Sequence, residues 1–135
     1  MRKLIFLIVS LVSMVACQSE SPSSVQNVGL VGKWKLVEFL SDPGNGSGTW
    51  QKADPQNPLY VEFKADGTFS SNMYTDLISY KVVDDTQLQL TFDPKLNSGN
   101  FTTWRYTNLT NTTLTLTYAC REPCGGRFVS VSTQE

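Results

Sequence analysis

Three cysteines and no histidine bound the chemistry open to this chain of 135 residues. Two of the cysteines, Cys120 and Cys124, lie in the run Cys-Arg-Glu-Pro-Cys-Gly-Gly. They sit at a turn with Pro123 between them and Gly125 and Gly126 just after, so the short Cα separation that a disulfide needs is within reach. In an exported chain that spacing reads as a structural disulfide, and closing so short a loop stabilises by about 2 kcal/mol in the chain-entropy model. A redox-active pair is the alternative, but the C-x-x-x-C spacing lacks a strand-to-helix setting. Metal binding has less to build on, since neither His nor a second Cys pair completes four ligands. Without His the commonest general base is also missing, and no Ser or Thr has a placed base to activate it. Asp84 and Asp85 are adjacent acids in a turn, where Asp bonds its own backbone. The expectation is a binding protein rather than an enzyme, with no cofactor and no metal.

Cys17 has a different setting. Arg2 and Lys3 open the chain, a largely apolar run with no polar face follows, and Ala16 precedes the cysteine. A charged start, an apolar stretch and a small residue form an export signal, and the stretch is short for a membrane span. Met14-Val15-Ala16-Cys17 resembles the lipobox of bacterial lipoproteins. That resemblance implies cleavage before Cys17 and acylation of its thiol. Acyl chains confer about 0.8 kcal/mol of membrane affinity per buried methylene. The division expected is 1–16 signal peptide, 17–29 flexible tether rich in Ser, Gln and Asn, and 30–135 one folded domain. Gln18 stands where an Asp often retains lipoproteins at the inner membrane, so the resemblance implies the outer membrane of the cell envelope. The net charge of −1 becomes more acidic once Arg2 and Lys3 are removed, which argues against nucleic acid as a partner.

The elements that must position any site read as strands. Over 30–40 the residues are β-branched, aromatic and aliphatic. Trp34 and Leu36 share one face and Lys33 and Lys35 the other, and a phase break after Leu36 predicts a bulge. Gly32 leaves room for a close approach by another backbone or ring. The stretch 41–58 carries Gly44, Gly46, Gly48, Pro43, Pro55 and Pro58, and reads as one long loop with Trp50 on it, a length that is usually functional or mobile. Residues 59–64 alternate with Leu59, Val61 and Phe63 inward, and Ala65-Asp66-Gly67 marks a hairpin. Ile78, Tyr80 and Val82 share a face; residues 87–92 give the clearest period of two. Further strands follow at 101–106, with Trp104 and Tyr106 on one face, at 113–118 and at 127–131. About eight short strands without an amphipathic helix predict an all-β sandwich or barrel of antiparallel hairpins.

Gly32-Lys33-Trp34 at the start of the first strand resembles the G-x-W motif of lipocalins, and the whole is similar to the lipocalin-like domains of bacterial envelope lipoproteins. The resemblance implies an antiparallel up-and-down β-barrel of about eight strands, with a sandwich as the alternative; in that barrel Trp34 plugs the closed end and a late basic residue, Arg127 before Arg121, lies over its ring. It also implies a small apolar ligand at the open end, with Trp50 as a lid and Tyr80, Trp104 and Tyr106 inside. The interior of an eight-stranded barrel is either filled by side chains or holds one small ligand, and the aromatic residues suit both. The alternative function is an interaction or inhibitor module that holds an envelope protein partner through its loops, anchored by Trp50.

Overall fold

The computed structural model describes residues 29–131; the expected signal peptide, Cys17 and all of the tether before Gly29 lie outside the described residues. Nine strands follow in order: β1 Gly32–Ser41, β2 Thr49–Lys52, β3 Tyr60–Phe63, β4 Phe69–Ser71, β5 Leu77–Val82, β6 Gln87–Phe92, β7 Phe101–Thr107, β8 Thr113–Thr117 and β9 Gly125–Ser130. Among the described residues there is no helix. Eight strands form one antiparallel sheet in the order β4-β3-β1-β9-β8-β7-β6-β5. The two edges of that sheet then meet. Thr68 bridges Ser79, and Tyr80 N–H donates to the Gly67 carbonyl at 2.8 Å. The chain is therefore an up-and-down β-barrel, nearly closed, and closure removes the exposed edges that an open sheet must protect.

The expected alternation places the core. Trp34 and Leu36 point inward from β1, Val61 and Phe63 from β3, Leu88 and Leu90 from β6, Trp104 and Tyr106 from β7, and Leu114 and Leu116 from β8. The predicted bulge is present: the β1–β9 register shifts between Leu36 and Glu38. A second bulge, between Leu77 and Ser79, was not legible. It turns Leu77 inward and leaves Ile78 42% exposed, so Ile78 does not share the buried face of Tyr80 and Val82 as its spacing suggested.

The stretch 41–58 also departs from expectation. Thr49–Lys52 form β2, which pairs with the far half of β1, Leu40 opposite Trp50, while β3 takes the near half, Trp34 opposite Val61. The turn between β1 and β2 is organised by one carboxylate. Asp42 Oδ1 accepts from the backbone N–H groups of Gly44 at 2.8 Å and of Asn45 and Gly46 at 3.2 Å, and Oδ2 from Gly48 at 2.9 Å. Gly44 and Gly46 supply the positive φ angles that such a wrap requires.

Candidate functional site

The barrel has two unlike ends. At the first, Trp34 fills the interior and its Nε1–H donates to the Leu30 carbonyl at 2.9 Å. Two phenols tie down the turns there: Tyr80 donates to the Lys64 carbonyl at 2.9 Å and Tyr106 to the Asp84 carbonyl at 3.0 Å. Trp34 thus stands inside the barrel at this end. Tyr80 and Tyr106 are interior residues, but they stand at this end and serve its turns. A polar hollow of about 500 Å³ lies outside Trp34, with Gly29, Thr86 and Asn108 on its rim. Its walls are turn residues whose polar atoms already bond one another, as Thr110 does with Thr113 at 2.8 Å.

At the opposite end an apolar cleft of about 400 Å³ opens among Leu36, Phe39, Leu59, Met73, Tyr74 and Tyr118. The β8–β9 loop completes the rim with Cys120 and Cys124, joined by a disulfide whose Cα atoms are 6.1 Å apart. Beneath the cleft three rings meet edge to face. Tyr74 is 4.9 Å from Trp104 and 5.3 Å from Tyr118, and Trp104 is 4.7 Å from Tyr118. Phe69 continues the stack below Trp104 at 5.8 Å. Ring pairs of this geometry contribute about 0.5–1.5 kcal/mol each beyond their buried area. Of the four residues expected in a ligand site, only Trp104 lies at this end of the interior, one layer below the opening.

Two polar atoms interrupt the apolar lining. Burial raises the Tyr74 phenol above its ordinary value. Burial also pushes Tyr118 far up, and the neighbouring Tyr74 adds to the shift. Both therefore stay neutral throughout the ordinary pH range. The Tyr118 hydroxyl oxygen is buried without a hydrogen-bond partner; Tyr74 is near enough to perturb its titration, yet the two hydroxyls fall short of bonding geometry. Close approach of β9 shapes this corner. A Cβ on Gly126 would stand 2.7 Å from the Tyr118 hydroxyl and from Leu36 Cδ1, and 2.6 Å from Phe128 Cε2.

Arg127 and Trp50 occupy the outside wall. The Arg127 guanidinium lies 4.0 Å from the centroid of the Trp50 ring and its Nη1 pairs with Glu38 Oε2 at 2.8 Å. The expected contact of Arg127 with Trp34 is therefore corrected. Phe128 points inward from β9, so its neighbour Arg127 points outward, away from the buried indole of Trp34. Trp50 does not act as a free lid either, because β2 holds it against β1 and Arg127 covers one face of its ring. Gly32 meets nothing within 4 Å where a Cβ would stand; its φ of 144° explains the glycine, rather than the close approach its position suggested.

Sequence reasoning missed Met73 and Tyr74 because 72–76 is a polar connection between strands. The adjacent Met-Tyr pair in that connection was the available signal. Among the described residues no group of three or more His, Cys, Asp or Glu is placed to hold a metal ion. No protein-family model matches the chain, and no curated protein matches it. Among solved structures, an uncharacterized protein from Bacteroides eggerthii DSM 20697 is similar at 18% identity, over 76% of this chain and 99% of that chain, with a TM-score of 0.44.

Proposed function

We propose that the protein is a lipid-anchored binding protein of the bacterial cell envelope. In this reading a lipid on Cys17 holds it at the outer membrane, and a small apolar molecule binds at the open end of the barrel. The observation that carries the reading is the apolar cleft of about 400 Å³ above the Tyr74–Trp104–Tyr118 floor. Small-molecule sites are concave, mostly apolar and usually preformed, with volumes from about 300 Å³ upward. Binding rather than catalysis is supported by the absence of histidine from the sequence. Trp50, on which the alternative of a loop-borne protein anchor rested, already has one ring face against Arg127, so the cleft has the stronger support.

Native mass spectrometry of protein extracted from the envelope tests the reading. Expected is an adduct of a small apolar molecule on the wild type and none on Met73→Trp, whose larger side chain fills the cleft. Identical spectra for the two proteins would count against it. The anchor is tested separately: Cys17→Ser should move a folded protein from the membrane fraction to the soluble envelope fraction.

A further inference from the structure

The cleft is not uniformly apolar, and the exception lies at its base. The Tyr118 hydroxyl is buried with no hydrogen-bond partner, in the notch left by Gly126 and beside Leu36, which itself lines the cleft. Buried polar groups in native proteins are paired in the great majority of cases, and an orphan calls for an explanation. A phenylalanine there would keep the ring contacts with Tyr74 and Trp104 without the cost of an unpaired hydroxyl. None of the residues lining the cleft is charged. A ligand bearing a carboxylate or an ammonium would therefore lie there without a counter-charge, at a large desolvation cost. Because the phenol stays protonated, what it offers is a donor. Among backbone groups, orphaned donors are rarer than under-satisfied acceptors, so the donor is the half of the hydroxyl most in need of a partner.

We infer that the ligand of the cleft is an uncharged, largely apolar molecule with one hydrogen-bond acceptor, a carbonyl or ether oxygen, to which the Tyr118 hydroxyl donates; the inference rests on the binding function proposed above. Tyr118 then sets selectivity among apolar molecules. The hydroxyl is closed to water in the free protein, so the acceptor reaches it by displacing the Tyr74 ring packed against it. The free state carries an unpaired hydroxyl that the bound state satisfies.

The test is calorimetric titration of delipidated protein with three probes of equal chain length: methyl nonyl ketone, undecane and undecanoate. The wild type should bind the ketone about tenfold more tightly than the alkane, the effect of one added neutral hydrogen bond, and should bind the carboxylate most weakly. Tyr118→Phe should lose the preference for the ketone, keep its affinity for the alkane, and melt at the wild-type temperature or higher. Met73→Trp should bind none of the three. Equal binding of ketone and alkane by the wild type would overturn the ligand class and leave the cleft in place. A lower melting temperature in Tyr118→Phe would show that the hydroxyl is paired in the free protein, and would overturn the inference by that route. Failure of all three probes to bind the wild type would remove the binding function itself and the ligand class with it.

Discussion

Gly125 and Gly126 stand where β9 passes closest to its neighbours, and they fail differently when a methyl is added. A Cβ on Gly125 would meet the backbone carbonyl of Leu116 at 2.6 Å. That oxygen belongs to β8, whose register with β9 fixes it in place, so the strands themselves must part. The atoms nearest to a Cβ on Gly126 all belong to side chains, the ends of Phe128 and Leu36 and the Tyr118 hydroxyl. Overpacking of a filled interior costs about 1–3 kcal/mol. Gly125→Ala should reach the upper part of that range and Gly126→Ala the lower part, read from urea denaturation midpoints at constant slope. The reverse order would mean that the β8–β9 ladder is looser than its register indicates. Sequence reasoning took the glycine pair as part of a turn beside the cysteines. Nothing local marks a glycine that serves a neighbouring strand, because the neighbour is fixed only by the tertiary register.

At the scale of elements, the same limit explains which strands were legible. β6 alternates Leu88 and Leu90 with polar residues, and its face could be assigned from period alone. The bulge in β1 was legible because Trp34 and Leu36 fall out of phase with Val37 and Phe39. β2 was not, since its four residues form a strand only by pairing with β1 beyond a turn wrapped on Asp42. The cleft was least legible of all. Leu59, Met73, Tyr74 and Tyr118 come from separate connections and strand ends, and only barrel closure brings them to one opening. The β2 hairpin is held to the wall by Arg127, which spans Glu38 and the Trp50 ring. An exposed cation–π contact contributes about 0.5–1 kcal/mol. A double-mutant cycle of Arg127→Ala with Trp50→Ala should return a coupling of about that size; additive effects of the two would show that the stacking contributes nothing. The disulfide acts at the same end of the barrel, in the β8–β9 loop. Its loop closure is worth about 2 kcal/mol, so Cys120→Ser with Cys124→Ser should lower the unfolding free energy by roughly that amount. An unchanged denaturation midpoint would show that the loop is ordered without the bond.

The whole molecule should show a stability plateau with two edges. Asp42, Asp54, Asp66 and Asp84 each accept hydrogen bonds in their turns, and all four carboxyls are held below the ordinary value of 3.8. For Asp42 the Gly44 N–H is the main cause, for Asp54 the Asn57 side chain, and for Asp66 and Asp84 the N–H of Thr68 and of Thr86. A depressed folded value gives stability that is present above 3.8 and is lost as the pH falls through the lower folded values. Tyr74, Tyr80 and Tyr118 lie on the other side. Burial raises all three above 10.0, so their contribution is complete below 10.0 and is lost as the pH climbs from there toward the raised folded values. With no histidine in the chain, no titration should interrupt the plateau between pH 5 and 8. Melting temperatures taken from well below pH 3.8 to above pH 10.0 check all three statements, and a step near pH 6.5 would contradict the last.

The most direct test of the central claim is where an apolar molecule binds. Methyl-labelled, delipidated protein titrated with methyl nonyl ketone should show saturable NMR shifts confined to Leu36, Leu40, Leu59 and Met73 around the cleft. Ile78, Val83 and Leu96, apolar side chains exposed elsewhere on the surface, should stay unmoved. Shifts that fail to saturate, or that fall on Ile78, Val83 and Leu96 while Leu36, Leu40, Leu59 and Met73 stay still, would contradict a binding site at the open end of the barrel.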